Sequence, residues 1–65
     1  MKLLTEFTDG DFPVKLFQLR LESFAVWYGS EQWWQLSEVE AKSHFANAVF
    51  HSLTCAGKLE RSDVL

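Results

Sequence analysis

Phe24-Ala-Val-Trp-Tyr-Gly-Ser-Glu-Gln-Trp-Trp-Gln-Leu36 holds all three tryptophans, Trp27, Trp33 and Trp34, and the single tyrosine, Tyr28. Aromatic and β-branched residues flank the Gly29-Ser30 turn signal, the pattern of a β-hairpin. A three-residue loop, Gly29-Ser30-Glu31, pairs Tyr28 with Gln32, Val26 with Trp34 and Phe24 with Leu36. Upstream, Phe17-Gln-Leu-Arg-Leu-Glu22 alternates apolar and polar residues, as a strand with one solvated face does. A turn at Glu22-Ser23 sets Leu21 opposite Phe24, Leu19 opposite Val26 and Phe17 opposite Tyr28. Both pairings gather Phe17, Leu19, Leu21, Phe24, Val26, Trp34 and Leu36 on one face. Trp27 and Trp33 become neighbours on the other.

A helix over 13–28 competes with this reading. Pro13 suits a first turn, Gly29 suits a C-terminal cap, and Val14, Phe17, Leu21, Phe24 and Tyr28 follow heptad spacing. Leu16, Leu19, Val26 and Trp27 would then spread apolar surface around most of its circumference. Burying such a helix on several sides needs more chain than 65 residues provide. Strands are therefore the preferred reading, and a small all-α helical hairpin is the alternative.

At the N-terminus, Leu3, Thr5 and Phe7 alternate with Leu4 and Glu6 before Asp9-Gly10, a dipeptide favoured in two-residue turns. Closing that turn pairs Phe7 with Phe12, Thr5 with Val14 and Leu3 with Leu16. Pro13 cannot donate to a ladder and belongs at an edge or bulge. Downstream, Ser37-Glu-Val-Glu40 has the form of a capping box. It predicts a helix from about Glu38 to Cys55, ended by Gly57. At about 100° per residue, Val39, Phe45, Ala46, Val49 and Leu53 share an apolar side. Glu40, His44, Asn47 and His51 lie on the opposite side, which is expected to meet water, and Lys42 sits within the apolar arc.

The expected architecture is α+β: an antiparallel meander of three or four strands followed by one C-terminal helix on its inner face. Residues 1–57 form a single small domain, and 58–65 read as a flexible tail. An apolar fraction of 48% and an aromatic fraction of 15% argue against disorder. Domains of this size bury only about 60% of their unfolded-chain surface, so the core is thin. Cys55 is the single cysteine; it allows no intrachain disulfide and makes a reducing cytoplasm the expected location. The Met1-Lys-Leu-Leu4 start is broken by Thr5, Glu6 and Asp9, and no apolar run reaches the roughly 20 residues of a span, so no membrane is expected.

Charge bears on partners. The formal charge is −3, with a pI near 5.1, and the six Lys and Arg residues are scattered. A protein that tracks a phosphate backbone normally clusters its cations, so nucleic acid is not the expected partner. His44, His51 and Cys55 follow one helical stripe, and the step from His51 to Cys55 allows two ligands on one metal. A zinc site usually draws ligands from two elements, however, and no second His or Cys lies elsewhere; no metal or other cofactor is expected. Cys55 beside His51 has no orienting group or oxyanion donor to make it a nucleophile. Glu22, Glu31, Glu38 and Glu40 flank no evident cleft, and Gly10, Gly29 and Gly57 are isolated turn or cap residues. No catalytic activity is expected.

The expectation is instead a non-catalytic interaction module. Exposed indoles on an uncovered sheet face form the kind of apolar patch that marks a binding surface. The residues assigned to it are Trp27, Trp33, Arg20, Gln18 and Ala25, and the expected partner is a second copy of the chain or another protein. The alternative is a nucleic-acid-binding domain that stacks bases on Trp27 and Trp33 beside Arg20. Short acidic chains without catalytic motifs are common on phages and other mobile elements, which makes such an element a conceivable source.

Overall fold

The structure is a computed structural model that describes residues 1–58. It contains strands β1 (Lys2–Phe7), β2 (Val14–Arg20), β3 (Ser23–Tyr28) and β4 (Glu31–Leu36), followed by helix α1 (Glu38–Cys55). The strands form one antiparallel sheet in the order β1-β2-β3-β4, and α1 crosses one face, mainly over β2 and β3. The fold is α+β. Residues 13–28 contain two strands and no helix; apolar side chains on one face meet α1, and those on the other pack sideways against one another. The expected tail beyond Lys58 lies outside the described residues.

Three registers differ from expectation, and each difference has a local cause. Phe7 pairs with Val14, not Phe12, so residues 8–13 form a six-residue loop in place of a tight Asp-Gly turn. The loop is held on the helix. Asp11 donates its amide to the Ser52 carbonyl (3.1 Å), Phe12 donates to Ser52 Oγ (3.2 Å), and Ser52 Oγ donates to the Phe12 carbonyl (2.9 Å). Ser52 is fully buried, so these bonds satisfy its hydroxyl and carbonyl together with three backbone groups of the loop. Gly10 lies so close to α1 that a Cβ there would collide with Ser52.

Between β2 and β3, Val14 pairs with Tyr28, Leu16 with Val26 and Phe17 with Ala25. The chain therefore turns at Leu21-Glu22, after a bulge between Gln18 and Arg20. The odd-numbered shift exchanges the faces of β2: Val14 and Leu16 point toward the helix, while Phe17 points away. Leu21, expected inside, is 85% exposed at the turn.

Between β3 and β4 the loop has two residues, not three. Tyr28 pairs with Glu31 and Val26 with Trp33, around Gly29 at φ 59. Glycine adopts that conformation without a Cβ clash. Phe24 still pairs with Leu36 as expected, because a bulge intervenes. Gln35 adopts φ 58, a left-handed conformation uncommon outside glycine. The bulge lets Trp33 and Leu36 both face the helix although they are three positions apart.

Helix α1 starts at the anticipated capping box: Glu40 N–H donates to Ser37 Oγ (3.2 Å) and Ser37 N–H to Glu40 Oε1 (2.9 Å). It ends in a Schellman motif, with Gly57 at φ 79 donating to the Thr54 carbonyl and Lys58 donating to that of Leu53. Its buried seam is Ala41, Ala48 and Ser52, flanked by half-buried Phe45 and Val49. The expected apolar side is thus rotated: Val39 is 76% exposed, Ala46 is exposed, and Lys42 lies in solvent paired with Glu38 at 3.5 Å. Bulky Val14, Val26, Trp33 and Leu36 already fill the sheet side, and small helix residues allow close approach at interior packing density.

Candidate interaction surfaces

Two surfaces on this frame carry recognisable chemistry. The first is the sheet face away from α1. Pairing places Leu3, Phe17 and Ala25 in one cross-strand row and Glu6, Lys15, Trp27 and Gln32 in the next. The Phe17 and Trp27 rings lie 4.6 Å apart, and Trp27 meets Trp34 edge-on at 5.6 Å. These rings cover one another and the backbone between them, so Ala25 is fully buried although α1 lies on the other side. Trp34 is 46% exposed and Leu3 47%, so the apolar surface continues outward to solvent. Trp34 Nε1 donates to Gln32 Oε1 (3.3 Å), whereas Trp27 Nε1 is buried without a hydrogen-bond partner among the described residues.

Of the residues assigned from sequence, Trp27 and Ala25 lie on this face. Trp33 does not: it points to the other side and stacks against His44 at 5.1 Å. Gln18 pairs with Phe24 on the helix side and donates Nε2 to the Leu21 carbonyl (3.2 Å). Arg20 is exposed opposite Ser23, near the β2–β3 turn and away from the indoles. Phe17, Trp34 and Leu3 were missed. The signal for Trp34 was present in Gly29-Ser30, since a two-residue turn moves every following side chain to the opposite face relative to a three-residue one.

The second surface is an open groove of about 1020 Å³ between α1 and the β3–β4 turn. Tyr28 and Trp33 rise from the sheet, His44 and His51 descend from the helix, and Phe12 and Pro13 also line it. The helical stripe expected to meet open water therefore forms a groove wall. His51 Nδ1 lies 2.7 Å from the Tyr28 hydroxyl, with the two rings edge-on at 5.6 Å. Cys55 Sγ lies 3.7 and 3.8 Å from the two ring nitrogens of His51. Burial pushes the Tyr28 phenol pKa up, Cys55 and Asp11 push it the same way, and the Ser52 hydroxyl opposes them. Tyr28 therefore stays a neutral hydroxyl across the physiological range. Among the described residues, no three His, Cys, Asp or Glu side chains converge as metal ligands. His44 is engaged with Trp33. Among the same residues, no helix is long and apolar enough to cross a membrane.

Compared with known proteins, the chain matches no family model, no curated protein and no solved structure.

Proposed function

We propose that this protein is a non-catalytic interaction module that self-associates through the outer face of its sheet. The observation that carries this reading is the Phe17–Trp27–Trp34 cluster, with Leu3 beside it, on the side α1 leaves uncovered. The cluster is a poor choice for monomer stability alone. It leaves two large side chains about half exposed and buries one indole N–H without an acceptor among the described residues, a defect worth about 1–3 kcal/mol. A second layer would remove the exposed apolar area from water at roughly 25 cal/mol per Å².

A second copy fits this face better than an added strand. Both edges of the sheet are interrupted, β1 by a register shift between Leu3 and Thr5 and β4 by the Gln35 bulge. Such breaks discourage edge pairing and leave the face as the route of contact. Glu6 and Lys15 oppose each other in the row beside the rings, so a two-fold stacked pair can place unlike charges together. At about 4.8 Å between strands and about 3.3 Å per residue, the face measures roughly 20 by 19 Å. Two such faces bury on the order of 1,000 Å², near the lower bound for specific interfaces, so the association is weak, with a dissociation constant on the order of 10–100 μM.

Nucleic acid draws no comparable support. Base stacking on Trp27 and Trp33 together would require both rings on one face, and the cation beside Trp27 is Lys15, itself opposite Glu6. The test of self-association is sedimentation across a range bracketing the expected constant, for wild type and Trp34→Ala. Concentration-dependent dimer that Trp34→Ala weakens at least about tenfold is the expected result. A wild-type monomer at every concentration would overturn the reading.

A further inference from the structure

The groove on the opposite side of the sheet has different chemistry, independent of the self-association surface. Its walls are aromatic on both sides, with Tyr28 and Trp33 from the sheet facing His44 and His51 from the helix. Its volume of about 1020 Å³ is at the upper end of the range for small-molecule sites, and the site is open. A lone amine or a single ring would leave most of it wet, whereas several residues of an extended chain would fill it.

Its polar groups narrow the occupant further. The Tyr28 hydroxyl is engaged with His51 Nδ1, and Trp33 and Asn47 line the walls with an indole N–H and a side-chain amide as donors. These complement a strand whose carbonyls are free. A proline-rich segment in the polyproline II conformation has such carbonyls, lacks amide protons at its prolines, and is already ordered before it binds. Aromatic-lined grooves are the general solution for reading such segments. The charge is one-sided as well: among the described residues, the lining includes the Glu31 carboxylate and no Lys or Arg. We propose that this groove binds an extended, proline-rich segment of another protein that carries a basic residue at the Glu31 end.

Nitrogen-labelled full-length chain, titrated with three short synthetic peptides, tests this. One is oligoproline ending in arginine, one is oligoproline ending in serine, and one is a glycine-serine peptide ending in arginine. The expected result is that the first moves the Trp33 indole signal and the Gly29, Ser30 and Asn47 amides, with a dissociation constant on the order of 100 μM. The second binds more weakly and the third leaves these signals in place. Trp33 also belongs to the core, so the variants are made at the groove rim. His44→Ala weakens the first peptide roughly tenfold, and Glu31→Gln removes the preference for arginine while keeping oligoproline binding. Equal response to all three peptides overturns the proposal, as does silence with the first at about 1 mM. Groove signals that move on concentration without peptide would identify the occupant as a second copy, which also overturns it. Trp34→Ala leaves the peptide response intact while weakening self-association, so failure of one reading is distinguishable from failure of the other.

Discussion

The two faces of this sheet contain similar residues and solve opposite problems. On the helix side, Val14 and Val26 are fully buried and meet Ala41 and Ala48, so large sheet side chains pack against small helix ones. On the far side, Phe17, Trp27 and Trp34 have no facing layer among the described residues and pack sideways against one another. Close approach of two elements demands small residues; shelter without a second element demands large ones. The difference teaches that tryptophan count alone does not locate a core, because two of the three indoles lie outside it.

The sharpest way to break the comparison is to enlarge a small residue at the helix seam. Ala48→Leu forces added methyl and methylene groups into a closed interface and is expected to cost about 1–3 kcal/mol. The same-sized intrusion is absent in Val39→Ala, whose side chain stands 76% exposed, and that variant stays within about 0.5 kcal/mol of wild type. Denaturant titration of both compares them directly. Equal destabilisation would mean the helix presents Val39 to the sheet, as its hydrophobic residues alone imply.

Ser52→Ala tests the seam's polar side. It leaves the Phe12 amide and carbonyl without their partner on α1, which costs about 1–3 kcal/mol if water cannot replace it. The change is smaller where the loop swings out to solvent, and then the Asp11 and Phe12 amides lose hydrogen-exchange protection while β2 and β3 keep theirs. An unaltered loop at full stability would show that the serine merely fills space.

Much of this arrangement was legible in the residues. Ser37 and Glu40 announced the start of α1 and Gly57 its end, because capping is local chemistry read within a few positions. The strands between 14 and 36 were legible from their alternation. What was not legible was which side each strand presents. Glu22-Ser23 and Leu21-Glu22 are equally poor turn sequences, and the left-handed Gln35 has none of the usual marks of a bulge. The bulge between Gln18 and Arg20 turned β2 over, and the loop at Gly29-Ser30, one residue shorter than expected, exchanged the roles of Trp33 and Trp34. The helix seam was hidden for another reason: alanine and serine score low on any apolar scale, yet their small size is what the crowded sheet selects.

The smallest effect sharpens the comparison at the rim of the helix side. Tyr28 is the single tyrosine, so its ionisation can be followed by ultraviolet absorbance without a competing phenol. Burial against α1, with Cys55 and Asp11 nearby, holds its proton above the ordinary value of 10.0. The folded state therefore binds the proton more tightly than the unfolded chain does. The resulting contribution to stability is complete below the unfolded value, and it is lost as pH rises through the folded one. Cys55→Ala removes a neighbour that raises the Tyr28 pKa, so the transition should move back toward 10.0. A titration that starts at the ordinary value, unchanged in Cys55→Ala, would mean this rim is as wet as the exposed edge of Trp34 on the other face.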